Sequence, residues 1–469
     1  MLYYNINYKI KRTSQDGRSL RATVQKGGFL MKLKKWQALA AAVFCALSLS
    51  SLSHAAAPII SCTAVAKVSG DGEHVADVIV QYDQPIAASS LSPDDYCVDG
   101  RTIEKVYTHT TDSLSPSGTA DGPYVVLQLK DLPLVDSSVD PHPEDGPMEK
   151  RQALGHNGPQ LGSHGNPKPL PVMKATVSQT GLIKTTTGQL YGPSSPQETT
   201  KVREPIVEDF HQGVFTDESQ QNATLKYNLY IPAHYDANKK YPLVLFMHDA
   251  GTVSPDVKAT LVQGLGAITF ASPEWQAKHP CFVLAPQYDT IIVDDNYQYG
   301  PELDRTIHLV QQLCRQYSID TDRIYNTGQS MGGMTSIAMD VKYPDFFAGS
   351  YLVACKWDET VTSPLGHQHI WAVTSQGDPG ASPSLAKIME NLEKDGVKVA
   401  SQTLDPTQPH DQVDAQAAAL ITPDCSHYLT QYQGGSHRST WQHAYTMQPA
   451  LEWLFAQKKN RPYSLKHNS

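Results

Sequence analysis

The sequence predicts an α/β fold, a doubly wound and mainly parallel sheet, preceded by a small β-sandwich domain. Three observations carry this. From about residue 203 onward, short apolar runs alternate with helical stretches, the pattern of a parallel sheet covered on both faces. Before that point the chain shows only short alternating segments broken by Gly, Pro and Ser, as in a sandwich. The 469 residues, 40% hydrophobic and 18% charged, give ample material for a core and exclude both a polytopic membrane protein and a wholly disordered chain.

The elements follow in order. Residues 1–30 have no apolar periodicity and read as an extension ahead of a natural start at Met31. Lys32, Lys34 and Lys35 precede an apolar run from Ala38 to Leu52, and Ser53-His54-Ala55 supplies small residues for cleavage. Residues 31–55 therefore read as a secretory signal peptide, which implies a secreted or periplasmic protein with no membrane attachment after cleavage. The run is too short and too rich in Ala and Ser for a membrane span. Ile59-Ile60-Ser61-Cys62 loosely fits a lipoprotein signal but lies too far beyond the apolar run. Residues 1–55 carry nine Lys/Arg and one Asp, so their removal takes the net charge from −9 to −17. Such acidity argues against nucleic acid as a partner.

Residues 56–200 form the expected β domain. Val78, Val80 and Tyr82 alternate in one segment, Val125, Leu127 and Leu129 in another, and 61–69, 96–108 and 172–187 are similarly β-like. A Pro-, Gly-, His- and Asp-rich stretch, about 136–169, reads as a long loop. Six cysteines remain beyond residue 55; Cys62 and Cys97 are expected to pair, and the connectivity of Cys281, Cys314, Cys355 and Cys425 is open. Their spacing matches no zinc site, and His367-x-His369 supplies only two ligands, so no metal and no cofactor are expected.

Residues 201–460 form the α/β domain. Strands are expected at Tyr241–His248, Cys281–Gln287, Arg323–Thr327, Ala348–Cys355, His369–Thr374 and about 397–404. Helices are expected at 302–317, 331–342, 383–395 and from about Thr440 to Gln457. Gly328-Gln329-Ser330-Met331-Gly332-Gly333 follows the third strand and opens a helix. G-x-S-x-G is weak by itself. Between a strand and a helix it reads as a nucleophile elbow, whose sharp turn needs small residues on both sides of Ser330. The partners should follow as acid and then His. Asp378, just past the strand His369–Thr374, is preferred over Asp358, Asp405, Asp411, Asp414 and Asp424. His437, behind Gly434-Gly435-Ser436, is preferred over His443 and His427, because the glycines let the backbone bend to present the ring. The oxyanion donors are expected to be the N–H groups of Met331 and, in the loop His248-Asp249-Ala250-Gly251, of Ala250. His248 reads as a structural residue bonding the loop backbone. Tyr288, Tyr297, Tyr299 and Trp357 are candidates for a pocket wall, with ordinary packing the simpler reading of each.

The stretches Leu243–Gly251, Ala285-Pro286-Gln287, the Gly328–Gly333 elbow and Trp441…Trp453-Leu454-Phe455 resemble the secreted α/β-hydrolase carboxylesterases and predicted peptidases related to feruloyl esterases. The β-rich N-terminal part is similar to the immunoglobulin-like domain that precedes some of these enzymes. The resemblance implies an α/β-hydrolase fold and a serine hydrolase, an esterase acting on a small-molecule or polymer-linked ester. A serine peptidase of prolyl-oligopeptidase-like type and a non-catalytic polysaccharide- or protein-binding module are the alternatives. The β domain is also a place where a homo-oligomer could form. One departure is Asp249, where the family usually has Gly. A carboxylate there opposes a developing negative charge unless it points elsewhere.

Overall fold

The computed structural model describes residues 55–115, 120–134, 159–165, 167 and 169–459. The expected signal segment (but for Ala55), the extension before it and most of the expected loop 136–169 lie outside the described residues.

The α/β domain is built on a nine-stranded sheet. Its strands, in chain order, are β1 (His211–Asp217), β2 (Ala223–Tyr230), β3 (Tyr241–Met247), β4 (Phe282–Gln287), β5 (Ile319–Gln329), β6 (Gly349–Val353), β7 (Ile370–Ser375), β8 (Val399–Leu404) and β9 (His427–Tyr432). They lie in the order β1-β2-β4-β3-β5-β6-β7-β9-β8. β1 and β2 are antiparallel to their neighbours, and every pairing from β4 through β8 is parallel. The central strands are buried along their whole length: β3, β4, β6 and β7 have no exposed position. Alternate residues feed two cores. Leu243, Leu245 and Met247 join the helices Glu302–Gln316, Met331–Lys342 and Ala381–Lys394 on one face. Val244 and Phe246 join Leu265–Ala271, Pro273–Lys278, His437–Ala444 and Gln448–Ala456 on the other.

Three features depart from the sequence expectation. The hairpin β1–β2 adds an antiparallel edge beyond the expected strands. β9 is a further strand inserted between β7 and β8, so residues 397–404 are not the last strand and His427 is a buried strand residue. The helix expected from Thr440 begins at His437 and breaks before Gln448, where Pro449 opens a new helix.

The N-terminal domain pairs Ile59–Ser69, Gly72–Ile86, Ile103–His109 and Gly122–Leu129 in one sheet, which Lys201–Arg203 closes by pairing parallel to Ile59–Ser69. A second sheet holds Tyr96–Val98, Thr176–Gln179 and Gln197–Glu198. Val78, Val80, Tyr82, Val125, Leu127 and Leu129 meet Tyr96, Val98, Val177 and Tyr191 between them. This is the sandwich that the alternation predicted. The Tyr82 hydroxyl lies 2.9 Å from that of Tyr96 and donates to Gln179 Oε1 at 2.8 Å, so the polar tips buried there are satisfied. The expected Cys62–Cys97 disulfide is absent. Cys62 points into the sandwich, and Cys97 is exposed between the buried Tyr96 and Val98, so strand alternation turns the two thiols apart.

One buried carboxyl tests this core. Asp340, on the helix Met331–Lys342, accepts from Ser350 Oγ at 3.0 Å and Asn326 Nδ2 at 3.2 Å, while its Oδ2 has no hydrogen-bond partner. Burial pushes its carboxyl up to about 7 from 3.8, more than those two bonds lower it. The folded chain thus holds a proton there that the unfolded chain releases. The contribution of this carboxyl to stability is full below about pH 4, falls as pH rises toward 7, and is gone above that. Asp340→Asn removes this term and is expected to raise Tm by several degrees at pH 8, and by less at pH 5. The upper bound is on the order of 4 kcal/mol. Melts at the two pH values check it; an equal shift at both would contradict the titration.

Candidate active site

Three loops at the C-terminal edge of the parallel strands supply the site. β5 ends at Gln329, and Ser330 follows with φ 53° and ψ −119°, joining the strand to the helix Met331–Lys342. Its N–H donates to Val353 O at 3.0 Å and its carbonyl accepts from Met334 N–H at 2.9 Å, so the strained turn is held from both sides. The flanking glycines are required by close approach. A Cβ on Gly328 would lie 2.5 Å from the Gly332 carbonyl carbon, and one on Gly332 would lie 2.0 Å from Met247 O. One on Gly333 would lie 2.7 Å from Cys355 Cβ.

β7 leads to Asp378 and β9 leads to His437. The two loops are stitched together, with Gln376 N–H on Tyr432 O and Gly377 N–H on Gly434 O, both at 2.9 Å. Gly434 and Gly435, at φ 63° and 70°, make the bend that presents His437. Ser436 caps the helix His437–Ala444 in a capping box with Ser439, so the ring sits on the first residue of a fixed helix.

The structure brings Ser330, His437 and Asp378 together. His437 Nε2 lies 2.8 Å from Ser330 Oγ, and His437 Nδ1 lies 2.5 Å from Asp378 Oδ2. A carboxylate only accepts, so the proton is on Nδ1 and Nε2 is free to accept from the serine hydroxyl. Asp378 Oδ1 accepts from the N–H groups of Gly380 and Ala381 at 2.9 and 3.0 Å. Burial would push this carboxyl up; the His437 bond and charge and the two backbone donors outweigh it and hold it below the usual range. Asp378 is 3% exposed and His437 is 42% exposed, so the acid is sealed and the ring is open to solvent.

The other expected donors are placed as follows. Met331 N–H opens its helix, and neither it nor Ala250 N–H has a partner among the described residues. Gly251 N–H is taken by Asp249 Oδ1 at 2.7 Å, which leaves Ala250 as the loop's donor. His248 is buried and fixed in one tautomer: Nδ1–H donates to Asp249 O at 2.8 Å and Nε2 accepts from Tyr288 N–H at 3.0 Å. Burial holds this imidazole neutral, against the opposing pull of Asp249. Because C=O and N–H point oppositely across a trans peptide, holding Asp249 O aims Ala250 N–H away from His248. Asp249 is engaged elsewhere, since its Oδ2 also accepts from Thr252 Oγ1 at 3.1 Å and Gln329 Nε2 at 3.3 Å.

The remaining candidates fall outside the cluster. Asp358 caps a short turn through Thr360 N–H, Asp405 does the same for Thr407, and Asp424 pairs with Lys398. Asp411 and Asp414 lie on the helix His410–Leu420. His427 Nε2 bonds Leu365 O at 3.0 Å, and the His443 ring packs on Tyr432. His369 Nδ1 bonds Ala348 O at 3.0 Å. Of the four aromatics, Tyr288 is core, Tyr299 lies under Lys342, and Tyr297 packs against Trp357 at 5.5 Å. Sequence reasoning missed Gln263, whose Oε1 lies 3.0 Å from Thr252 Oγ1 and 3.2 Å from Gln329 Nε2, bracing the loop against the elbow. A lone Gln on a short helical turn carries no signal of that role.

Residues 61–192 match the family model described as the esterase Ig-like N-terminal domain. A crystal structure of a thermostable esterase aligns with TM-score 0.67 and 26% identity, over 85% of this chain and 100% of its own. The chain is an esterase-type hydrolase. Its N-terminal sandwich is the immunoglobulin-like domain that the resemblance implied, and its second domain has the α/β-hydrolase fold. More distant likenesses add nothing to this. The feruloyl esterase module of Clostridium thermocellum aligns at TM-score 0.39 and 16% identity, over 54% of this hydrolase and 90% of its own chain. A ferulic acid esterase of the fungus Anaeromyces mucronatus aligns at 0.34 and 15%, over 52% and 89%. No curated protein sequence matches significantly.

Proposed function

We propose that the chain is an exported serine hydrolase that cleaves carboxylic esters through Ser330, His437 and Asp378. The observation that carries this is the continuous hydrogen-bonded chain from Ser330 Oγ through His437 to Asp378, at 2.8 and 2.5 Å. Ser330 attacks the ester carbonyl while His437 Nε2 takes its proton. Asp378 keeps the ring in the accepting tautomer and stabilises the imidazolium. The N–H groups of Met331 and Ala250 receive the oxyanion. The imidazolium then protonates the leaving alcohol, and water hydrolyses the acyl-enzyme with His437 as base. Asp249 spends both carboxylate oxygens on Gly251, Thr252 and Gln329, which supports the reading in which Ala250 N–H is the loop's donor. Export rests on the basic and apolar segment before Ala56.

The test is hydrolysis by the chain from Ala56, with p-nitrophenyl esters from acetate to decanoate, methyl ferulate and peptide p-nitroanilides. Ester turnover, with fluorophosphonate labelling that depends on Ser330, is expected. Amide turnover alone would move the chain to the peptidases. A folded protein that neither turns over nor labels would make it a binding module.

A further inference from the structure

The tip of the N-terminal domain reaches the catalytic apparatus from behind. Ile59–Ser69 and Gly72–Ile86 form a hairpin closed by Ser69 opposite Gly72, with Gly70 and Asp71 as its turn. A Cβ on Gly70 would lie 3.0 Å from both Cα and O of Gln442, on the helix that begins with His437. Gly70 has no left-handed backbone angle, so the turn itself does not demand glycine. The close approach to the helix does. On its other side, Gly70 O lies 3.4 Å from where a Cβ of Gly264 would be, and the Gly72 position faces Val262 O at 3.7 Å. Val68 packs into the core that holds Trp441, Leu261 and Val262.

Both neighbours of the tip lead to the site within one or two contacts. Trp441, one turn along the helix, meets the His437 ring edge-to-face at 5.2 Å and 86°. Gln263, between Val262 and Gly264, braces Thr252 and Gln329 beside the oxyanion loop. The base follows β9 and the Ala250 donor follows β3, two strands of the one sheet that do not pair directly with each other. The hairpin tip touches the support of each.

We infer that Gly70 and its hairpin turn are a positioning device for catalysis: the N-terminal domain sets the spacing between His437 and the Ala250 loop. The inference rests on the triad proposed above. A shift of the helix by a few tenths of an ångström moves Nε2 relative to Ser330 Oγ and weakens proton transfer, a loss that falls on kcat.

The experiment compares Gly70→Ala, Gly70→Val and Val125→Ala in the chain from Ala56, with Ser330→Ala alongside. Val125 is buried in the sandwich away from the hairpin tip, and its truncation destabilises the same domain by cavity formation. Steady-state kinetics on p-nitrophenyl butyrate are read with Tm on folded protein. Gly70→Val is expected to lower kcat by about tenfold or more with KM within about twofold, and Gly70→Ala by less. Val125→Ala is expected to lower Tm and leave kcat within about twofold. Should Gly70→Val prove insoluble, the same split in Gly70→Ala decides. Wild-type kcat in the Gly70 variants, or a loss matched by Val125→Ala at equal Tm, would overturn the inference. An active Ser330→Ala would instead overturn the triad beneath it.

Discussion

Replacing Ser330 by Ala is expected to lower kcat by about 10⁴-fold or more while leaving KM and the fold nearly unchanged. Alanine keeps the Cβ and the backbone of the elbow, so only the oxygen proposed to attack is lost. Ser330→Gly separates chemistry from strain. It is equally inactive, but it frees a residue held at φ 53° from the steric cost of that angle. The relief is about 1 kcal/mol, so its Tm should exceed that of Ser330→Ala. Turnover of p-nitrophenyl butyrate and thermal melts of the two variants check both parts. A Gly variant less stable than the Ala variant would contradict the strain, and retained turnover in either would contradict the nucleophile.

The second large effect is Asp378→Asn, and the hydrogen bonds dictate its mechanism. Oδ1 of Asp378 accepts from two backbone N–H groups, so asparagine must place its carbonyl there. The amide NH₂ then occupies the Oδ2 position and points a donor at His437 Nδ1. The ring has to present Nδ1 as an acceptor and carry its proton on Nε2, facing Ser330. It can no longer take the serine proton. The expected loss is about 10⁴-fold in kcat with the fold intact. Kinetics at neutral pH measure it, and a loss below about tenfold would mean that Asp378 does not orient the ring.

How much of this was legible depended on whether a constraint was local. The elbow could be read because its turn allows no Cβ at Gly328, Gly332 or Gly333, and that shows in the sequence. Gly434 and Gly435 mark the bend before His437 in a different way, through backbone angles other residues rarely adopt. β9 was missed because His427-Tyr428-Leu429-Thr430-Gln431-Tyr432 looks polar. Yet only Gln431 is not fully buried, since Leu365 O satisfies His427 and Trp371 Nε1 donates to Thr430 Oγ1 at 3.1 Å. Tertiary partners far along the chain made those side chains acceptable in a core, and periodicity cannot see them. β1 and β2 were missed as an edge hairpin whose half-exposed alternation resembles any amphipathic loop. The Cys62–Cys97 expectation failed on parity: nearness in a domain does not bring thiols together when one faces in and the other out.

The parallel pairing of Lys201–Arg203 with Ile59–Ser69 has a consequence for the chain during synthesis. The first long strand of the sandwich receives its outer neighbour only after more than 130 further residues have been made. At roughly 5–20 residues per second this is an interval of many seconds. Throughout it, one backbone edge of Ile59–Ser69 stays open, with the exposed Ile60 beside it. An open edge is a template for another chain's strand. A nascent or clipped polypeptide that stops short of Lys201 is therefore the form of this protein most prone to pair with its own copies.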